Sequence, residues 1–207
     1  MRIDNYHYLE MTEARKNRIQ EVLEKRQNDI TIVLENIFDP HNIAAVLRTC
    51  DAVGIMEIFV LNTMKPNHGS YENRRSSSAA KWMMVHHFSD PTECFTAVKK
   101  KYKKIYSTHM SEASKSMYSL DMTEPIALVF GNERQGLTRA SLNFCDGNFI
   151  IPQVGMIQSL NISVACAVTL YEAFRQKNNL NHYHEPKLNN DETNSLLNFW
   201  NIESDDQ

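Results

Sequence analysis

Three stretches of this chain carry more polar side chains and glycines than a scaffold needs, and each begins where a short apolar run ends. They are ENIFDPHNIAAVLRTCDAVG (Glu35 to Gly54), VFGNERQGLT (Val129 to Thr138) and IIPQVGMIQSLNISVACAVTLYEAF (Ile150 to Phe174). In the first, Asn42 suffices as a helix N-cap. Arg48 stands among Val46, Leu47 and Cys50, where an unpaired guanidinium would be costly to bury. It therefore calls for an anionic partner, such as a phosphate gripped by the planar fork. In the second stretch, Gly131 lets backbone approach a ligand closely, and Gly136 precedes a helix whose expected cap is Thr138. The glycine spacing is that of a phosphate loop, but Leu137 and Thr138 stand where Lys and Ser/Thr belong. No G-x-G-x-x-G is present either, which argues against a nucleoside triphosphate or a dinucleotide. In the third, Ser159 and Asn161 fall at a helix N-terminus, where free N–H groups favour negative or lone-pair atoms; either also serves as a plain cap.

The elements around these stretches alternate. Thr12 followed by helix formers, with Ile19, Val22 and Leu23 on one side, predicts an amphipathic helix ending near Arg26. Ile30 to Leu34 is apolar and β-branched, as in a strand buried on both faces of a parallel sheet. Ile43, Val46, Leu47, Cys50 and Val53 then follow helical spacing and stop at Gly54. Further strands are expected at Ile58 to Leu61, Trp82 to Phe88, Ile105 to Thr108, Ile126 to Phe130 and Phe149 to Ile151. Asp90, Pro91 and Glu93 open a helix reaching about Lys101. A last helix runs from Ser159 to about Gln176, with Leu160, Val164, Ala167, Val168 and Tyr171 as its apolar stripe. Strands alternating with helices imply an α/β fold with a mostly parallel sheet and ligands at the carboxyl ends of its strands.

Composition bounds the function. At 207 residues, 42% hydrophobic and 23% charged, the chain is an ordinary globular protein of one domain with decorations. No apolar run reaches the length of a bilayer span and the N-terminus lacks a secretory signal, so a cytoplasmic location is expected, without a membrane. Cys50, Cys94, Cys145 and Cys166 form no C-x-x-C pair, and buried free thiols are expected. His182 and His184 in a polar tail do not make a metal site, so no metal is expected. The net charge is −3, yet it is unevenly spread. Asn178 to Gln207 holds six acids against one base. Lys65 to Lys104 holds nine bases against three acids, including Arg74, Arg75 and the run KKKYKK from Lys99. That run reads equally as a solvated helix end or as an RNA-facing patch. In the tail only SLLNFW, Ser195 to Trp200, can dock, and deleting Asp191 to Gln207 is expected to leave activity intact.

Taken together and in order, the three stretches resemble the motifs N-x-x-x-N-x-x-x-x-x-R, G-x-E-x-x-G and I-P-x-x-G-x-x-x-S-L-N-x-S-x-A of the SpoU branch of the SPOUT RNA ribose 2′-O-methyltransferases. Here these are Pro40 to Arg48 with Asn36 upstream, Gly131 to Gly136, and Ile151 to Ala165. The likeness spans about Ile30 to Arg175, and its wording is most similar to the tRNA guanosine-18 2′-O-methyltransferases. One departure is SSSAAKW, Ser76 to Trp82, where relatives often carry a glycine before Lys-Trp. The resemblance implies a C-terminal trefoil knot from Phe130 onward, S-adenosylmethionine as cofactor, and a homodimer acting on tRNA. By position it implies that Thr108, Gly131, Ile151, Met156 and Leu160 line the cofactor pocket. Asn42, Arg48, Glu133, Ser159 and Asn161 would form the catalytic and RNA side. Its division of the chain is an RNA-contacting helical extension over 1–29, a methyltransferase domain over 30–177 and an acidic tail over 178–207.

Methyl transfer to a ribose hydroxyl requires alignment of two groups and removal of one proton, and the three motifs hold no well-placed histidine. Using Arg48 as the base would cost roughly 9 kcal/mol, at about 1.36 kcal/mol per unit of pKa. Arg48 is better suited to grip phosphate and polarise the hydroxyl while the proton leaves through phosphate or water. Two alternatives are a ribosomal RNA methyltransferase and a non-catalytic RNA-binding factor on the same fold. A flavodoxin-like small-molecule enzyme would lack its phosphate loop.

Overall fold

The computed structural model describes residues 12–64 and 78–202. Lys65, Arg74, Arg75, Ser76 and Ser77 of the basic island, and Glu203, Asp205 and Asp206 of the tail, lie outside the described residues. Thirteen elements are used below: α1 (Glu13–Lys25), β1 (Ile30–Glu35), α2 (Pro40–Ala52), β2 (Glu57–Leu61), β3 (Met84–Phe88), α3 (Pro91–Lys99), β4 (Lys104–Thr108), β5 (Lys115–Ser116), β6 (Ile126–Phe130), α4 (Arg139–Leu142), β7 (Gly147–Ile150), α5 (Ile162–Asn179) and α6 (Asn190–Phe199).

The strands form one parallel sheet in the order β3-β2-β1-β6-β4-β7-β5. Chain order reverses direction between β1 and β6, and a crevice opens beyond strand ends at such a switch. Strands β1, β2 and β6 are buried at every position, as their β-branched and apolar sequences require of strands covered on both faces. On one face, Ile43, Val46, Leu47 and Cys50 of α2 pack with Ile162, Cys166, Leu170 and Ala173 of α5 over Ile32, Leu34 and Leu128. On the other, Cys94, Phe95 and Val98 of α3 cover Val33, Ala127 and Val129. The late strands return into the sheet, β6 between β1 and β4 and β7 between β4 and β5. The short edge strand β5 has no signature in the sequence, and the Trp82 to Phe88 run begins as a strand only at Met84, after a 3-10 turn at Ser78–Lys81.

Because the strands are parallel, the sheet has two unlike edges. At the amino edge α1 and α6 pack together: Leu23, Met56, Leu196 and Trp200 form a separate apolar cluster with Ile19, Val22 and Trp82 around it. Arg26, fully buried, ties the cluster down by donating to the Ile55 and Trp82 carbonyls and pairing with Asp51. Trp82 thus serves docking, edge-on to Trp200 at 5.5 Å. The KKKYKK run also lies at this edge, just before β4. Its Lys101 bridges Glu57 and Glu192 at 3.2 and 3.0 Å, and the Tyr102 hydroxyl donates to Glu57. Tail residue Glu192 is therefore paired, accepting from Asn28 as well. The cysteines are free thiols, three of them buried, and burial pushes Cys94 and Cys145 up to about 12 and 11. No helix among the described residues is long and apolar enough to cross a membrane.

Candidate active site

The polar stretches converge at the opposite, carboxyl edge. Glu35 closes β1 and is fully buried; it accepts from the Thr138 N–H and hydroxyl at 2.9 and 2.6 Å and from Ser141 Oγ at 2.7 Å. These three donors neutralise an otherwise costly buried carboxylate and anchor the segment that follows the 131–136 loop. Next to it, Asn36 adopts a left-handed φ of 55°, which asparagine tolerates better than most residues. Its side-chain oxygen accepts from Thr63 N and Met64 N, and its carbonyl accepts from Asn132 Nδ2. One residue so ties the loops after β1, β2 and β6 together.

The 131–136 loop is closed on itself. Asn132 Oδ1 accepts from the N–H groups of Arg134 and Gln135, and Gly136 N–H returns to the Asn132 carbonyl at 2.7 Å. A Cβ on Gly131 would lie 2.5 to 2.7 Å from backbone atoms of Gly136 and Leu137. The close approach that demands this glycine is therefore made by the loop itself, where the sequence suggested a ligand. The tight turn presents Glu133 to α2 and α5. Asn42 Nδ2 donates to Glu133 Oε1 at 2.9 Å, and Asn161 Nδ2 donates to Asn42 Oδ1 at 3.1 Å. Asn42 is thus not a cap; Asp39 caps α2, with Pro40 in its first turn. Asn161 is both, since it caps α5 at Ser163 N and joins the chain of amides.

Two clefts meet at Glu133. The first, of about 210 Å³, is lined by Thr108, Gly131, Ile151, Ser159 and Leu160, with Phe149 and Ile162 as apolar walls. The second, of about 660 Å³, is lined by Asn42, Asn161, Phe38, Asp39, Met64 and Arg134. Asn132 and Glu133 line both. Among the described residues no Lys or Arg lines the first cleft and Glu133 is its one carboxylate, so it suits a cationic or apolar ligand better than a phosphate. His109 also lines it; it stands just outside the three motifs, which is why the sequence did not single it out.

Eight of the ten site residues expected from the sequence are therefore gathered at the two clefts; Arg48 and Met156 are not. Met156 is 99% exposed on the loop before α5. It belongs to the loop over residues 151–160, and α5 begins only at Ile162, later than the expected Ser159. Arg48 is exposed. Its buried neighbours Val46, Leu47 and Cys50 point inward, so the desolvation argument for an anionic partner fails. The expected stripe on α5 is also reversed. Val164, Val168 and Tyr171 are 46, 37 and 53% exposed, while Ile162, Cys166, Leu170 and Ala173 form the core face.

Comparison with known proteins shows what the chain and its fold are similar to. A Thermus thermophilus tRNA (guanosine(18)-2′-O)-methyltransferase is 41% identical over 192 residues, covering 92% of this chain and 97% of that protein. The crystal structure of the Aquifex aeolicus TrmH/SpoU tRNA modifying enzyme superposes with a TM-score of 0.78 at 35% identity, over 91% of this chain and 95% of that one. The SpoU methyltransferase AviRb from Streptomyces viridochromogenes, solved in complex with AdoMet, gives 0.63 at 25% identity over 74% and 58%. The SpoU rRNA Methylase family model matches residues 29–171, and the chain belongs to that family.

Proposed function

We propose that the protein transfers a methyl group from S-adenosylmethionine to the ribose 2′-hydroxyl of guanosine 18 in the D-loop of tRNA. The observation that carries this is the Asn161–Asn42–Glu133 chain standing where the two clefts meet. A donor in one cleft and a ribose in the other would face each other across it, which is the requirement of an in-line transfer. The first cleft fits the cofactor, with apolar walls for the adenine, Glu133 as counter-charge to a sulfonium, and among the described residues no Lys or Arg that would seek a phosphate. When bound, S-adenosylmethionine supplies the electrophilic methyl. Asn42 and Asn161 orient the ribose, and Ser159 offers a hydroxyl at the border of the site. The proton leaves through phosphate or water.

Arg48 reaches neither cleft of its own chain. It shares an outward face of α2 with His41, Ala45 and Ala52 by helical spacing, and α2 lies beside α5, whose Val164, Val168 and Tyr171 are exposed. We read these adjoining faces as a homodimer contact, across which Arg48 of the partner subunit grips the RNA phosphate. A C-terminal trefoil knot, an RNA contact by the exposed bases of α1, and action in the cytoplasm complete the reading.

The test is transfer of labelled methyl from S-adenosylmethionine to unmodified bulk tRNA and, separately, to ribosomal RNA. Label in tRNA is expected. Label confined to ribosomal RNA would overturn the substrate, and label in neither, without cofactor binding by calorimetry, would favour a non-catalytic RNA-binding factor.

A further inference from the structure

The larger cleft is also lined by residues outside the amide chain, whose chemistry the transfer reaction does not use. Resting on the function above, the target ribose sits at Asn42 and Glu133, and its base must occupy the rest of the 660 Å³ cleft. There Phe38 and Met64 supply apolar surface and Asp39 supplies a carboxylate. Asp39 Oδ1 accepts from His41 N–H at 2.8 Å as the cap of α2, and no described residue is bonded to Oδ2. Pro40 in the first helical turn fixes the backbone beside it. A rigidly held carboxylate facing a polyanion is unfavourable unless the ligand brings donors. Among the four bases only guanine has two adjacent donors, N1–H and the 2-amino group, on its Watson–Crick edge. Adenine and cytosine set one donor beside an acceptor, and uracil sets one between two acceptors. Such an edge is readable in an unpaired nucleotide turned out of its stack.

We propose that Asp39 is the specificity-determining residue of the reaction, its carboxylate accepting from N1–H and the 2-amino group of the target guanine while Phe38 and Met64 border the ring. Its capping role is separable from reading, because Ser caps a helix about as well as Asp but offers no carboxylate pair. The probe is a pair of tRNA transcripts carrying guanosine or inosine at the target position, which differ only in the 2-amino group.

With the wild type, inosine is expected to lower kcat/KM on the order of 10- to 100-fold, as for loss of a good paired base contact. With Asp39→Ser, methylation of guanosine is expected to fall toward the inosine level and the ratio to collapse to about one. Calorimetry of S-adenosylmethionine binding should be unchanged in that variant, showing that the fold and the first cleft are intact. Equal wild-type rates on the two transcripts, or an undiminished ratio in Asp39→Ser, would overturn the assignment and leave the methyltransferase reading standing. A wild type that methylates neither transcript would overturn both.

Discussion

Asn42 Nδ2 donates to Glu133 Oε1 at 2.9 Å across 91 positions of sequence, so the Asn42 amide joins α2 to the loop after β6. Asn42→Ala would leave Glu133 and Asn161 without their shared partner. Both ends of the chain are exposed, so stability should change by less than about 1 kcal/mol. Turnover should fall by about 10²- to 10³-fold, the usual effect of losing one preorganised polar group. Asn42→Asp should be at least as damaging, because it sets a second carboxylate against Glu133. Steady-state methyl transfer beside urea unfolding separates these effects; a large loss of stability with normal turnover would make the chain purely structural.

Arg48 lies on the outer face of α2 and away from both clefts, which leads to a test by mixing. Arg48→Ala and Glu133→Gln should each be nearly inactive alone. If Arg48 acts across the dimer, subunit exchange between them should restore about a quarter of wild-type activity, because half the dimers are mixed and each holds one complete site. No recovery after demonstrated exchange would place Arg48 in its own chain's reaction, or outside the reaction.

At the amino edge, acid should loosen the fold through Glu57. Burial would raise its pKa, but the His86 hydrogen bond, the Lys101 charge and the Tyr102 hydroxyl outweigh this and hold it at about 2, below its ordinary 4.5. A depressed carboxylate stabilises the fold fully above its unfolded value and loses that contribution as pH falls through the folded one. The urea midpoint should therefore drop between about pH 4.5 and 2, and Glu57→Gln should flatten that limb. An identical pH profile in the variant would assign acid sensitivity elsewhere.

The C-terminal helix belongs to the folded body. Leu196 is fully buried and Trp200 nearly so against Leu23, Met56 and Trp82. Trp200→Ala should cost about 3 kcal/mol, as for other large-to-small changes of buried aromatics, and deleting Asp191 to Gln207 should cost more. Methylation should nevertheless persist well below the unfolding midpoint, because the clefts lie at the other edge of the sheet. Thermal unfolding followed by an assay at low temperature checks both parts.

Much of this was legible in the sequence because the signals were local. The all-apolar runs of β1 and β6, the Asp90-Pro91 start of α3 and the glycines at 54 and 136 each carry their own conformational reason. What escaped depended on orientation or partners. Period alone gives α5 an apolar stripe but not its direction, and Val164, Val168 and Tyr171 of that stripe face outward. Arg48 was judged by its sequence neighbours, which point the other way. From its own surroundings Asn42 reads as no more than a cap, because its partner, Glu133, is distant in the chain; only the motif resemblance points to the site. Glu35 and Asp39 carry weaker local signals, a lone acid ending an apolar strand and an acid before a helical proline.

The reaction itself is tested most directly by removing the acceptor atom alone. A tRNA assembled with 2′-deoxyguanosine at position 18 keeps the base, the phosphates and the fold of the substrate but lacks the hydroxyl. With labelled S-adenosylmethionine, the ribose form should be methylated and the deoxy form should bind comparably yet take no label. Equal labelling of both forms would contradict ribose 2′-O-methylation at that nucleotide.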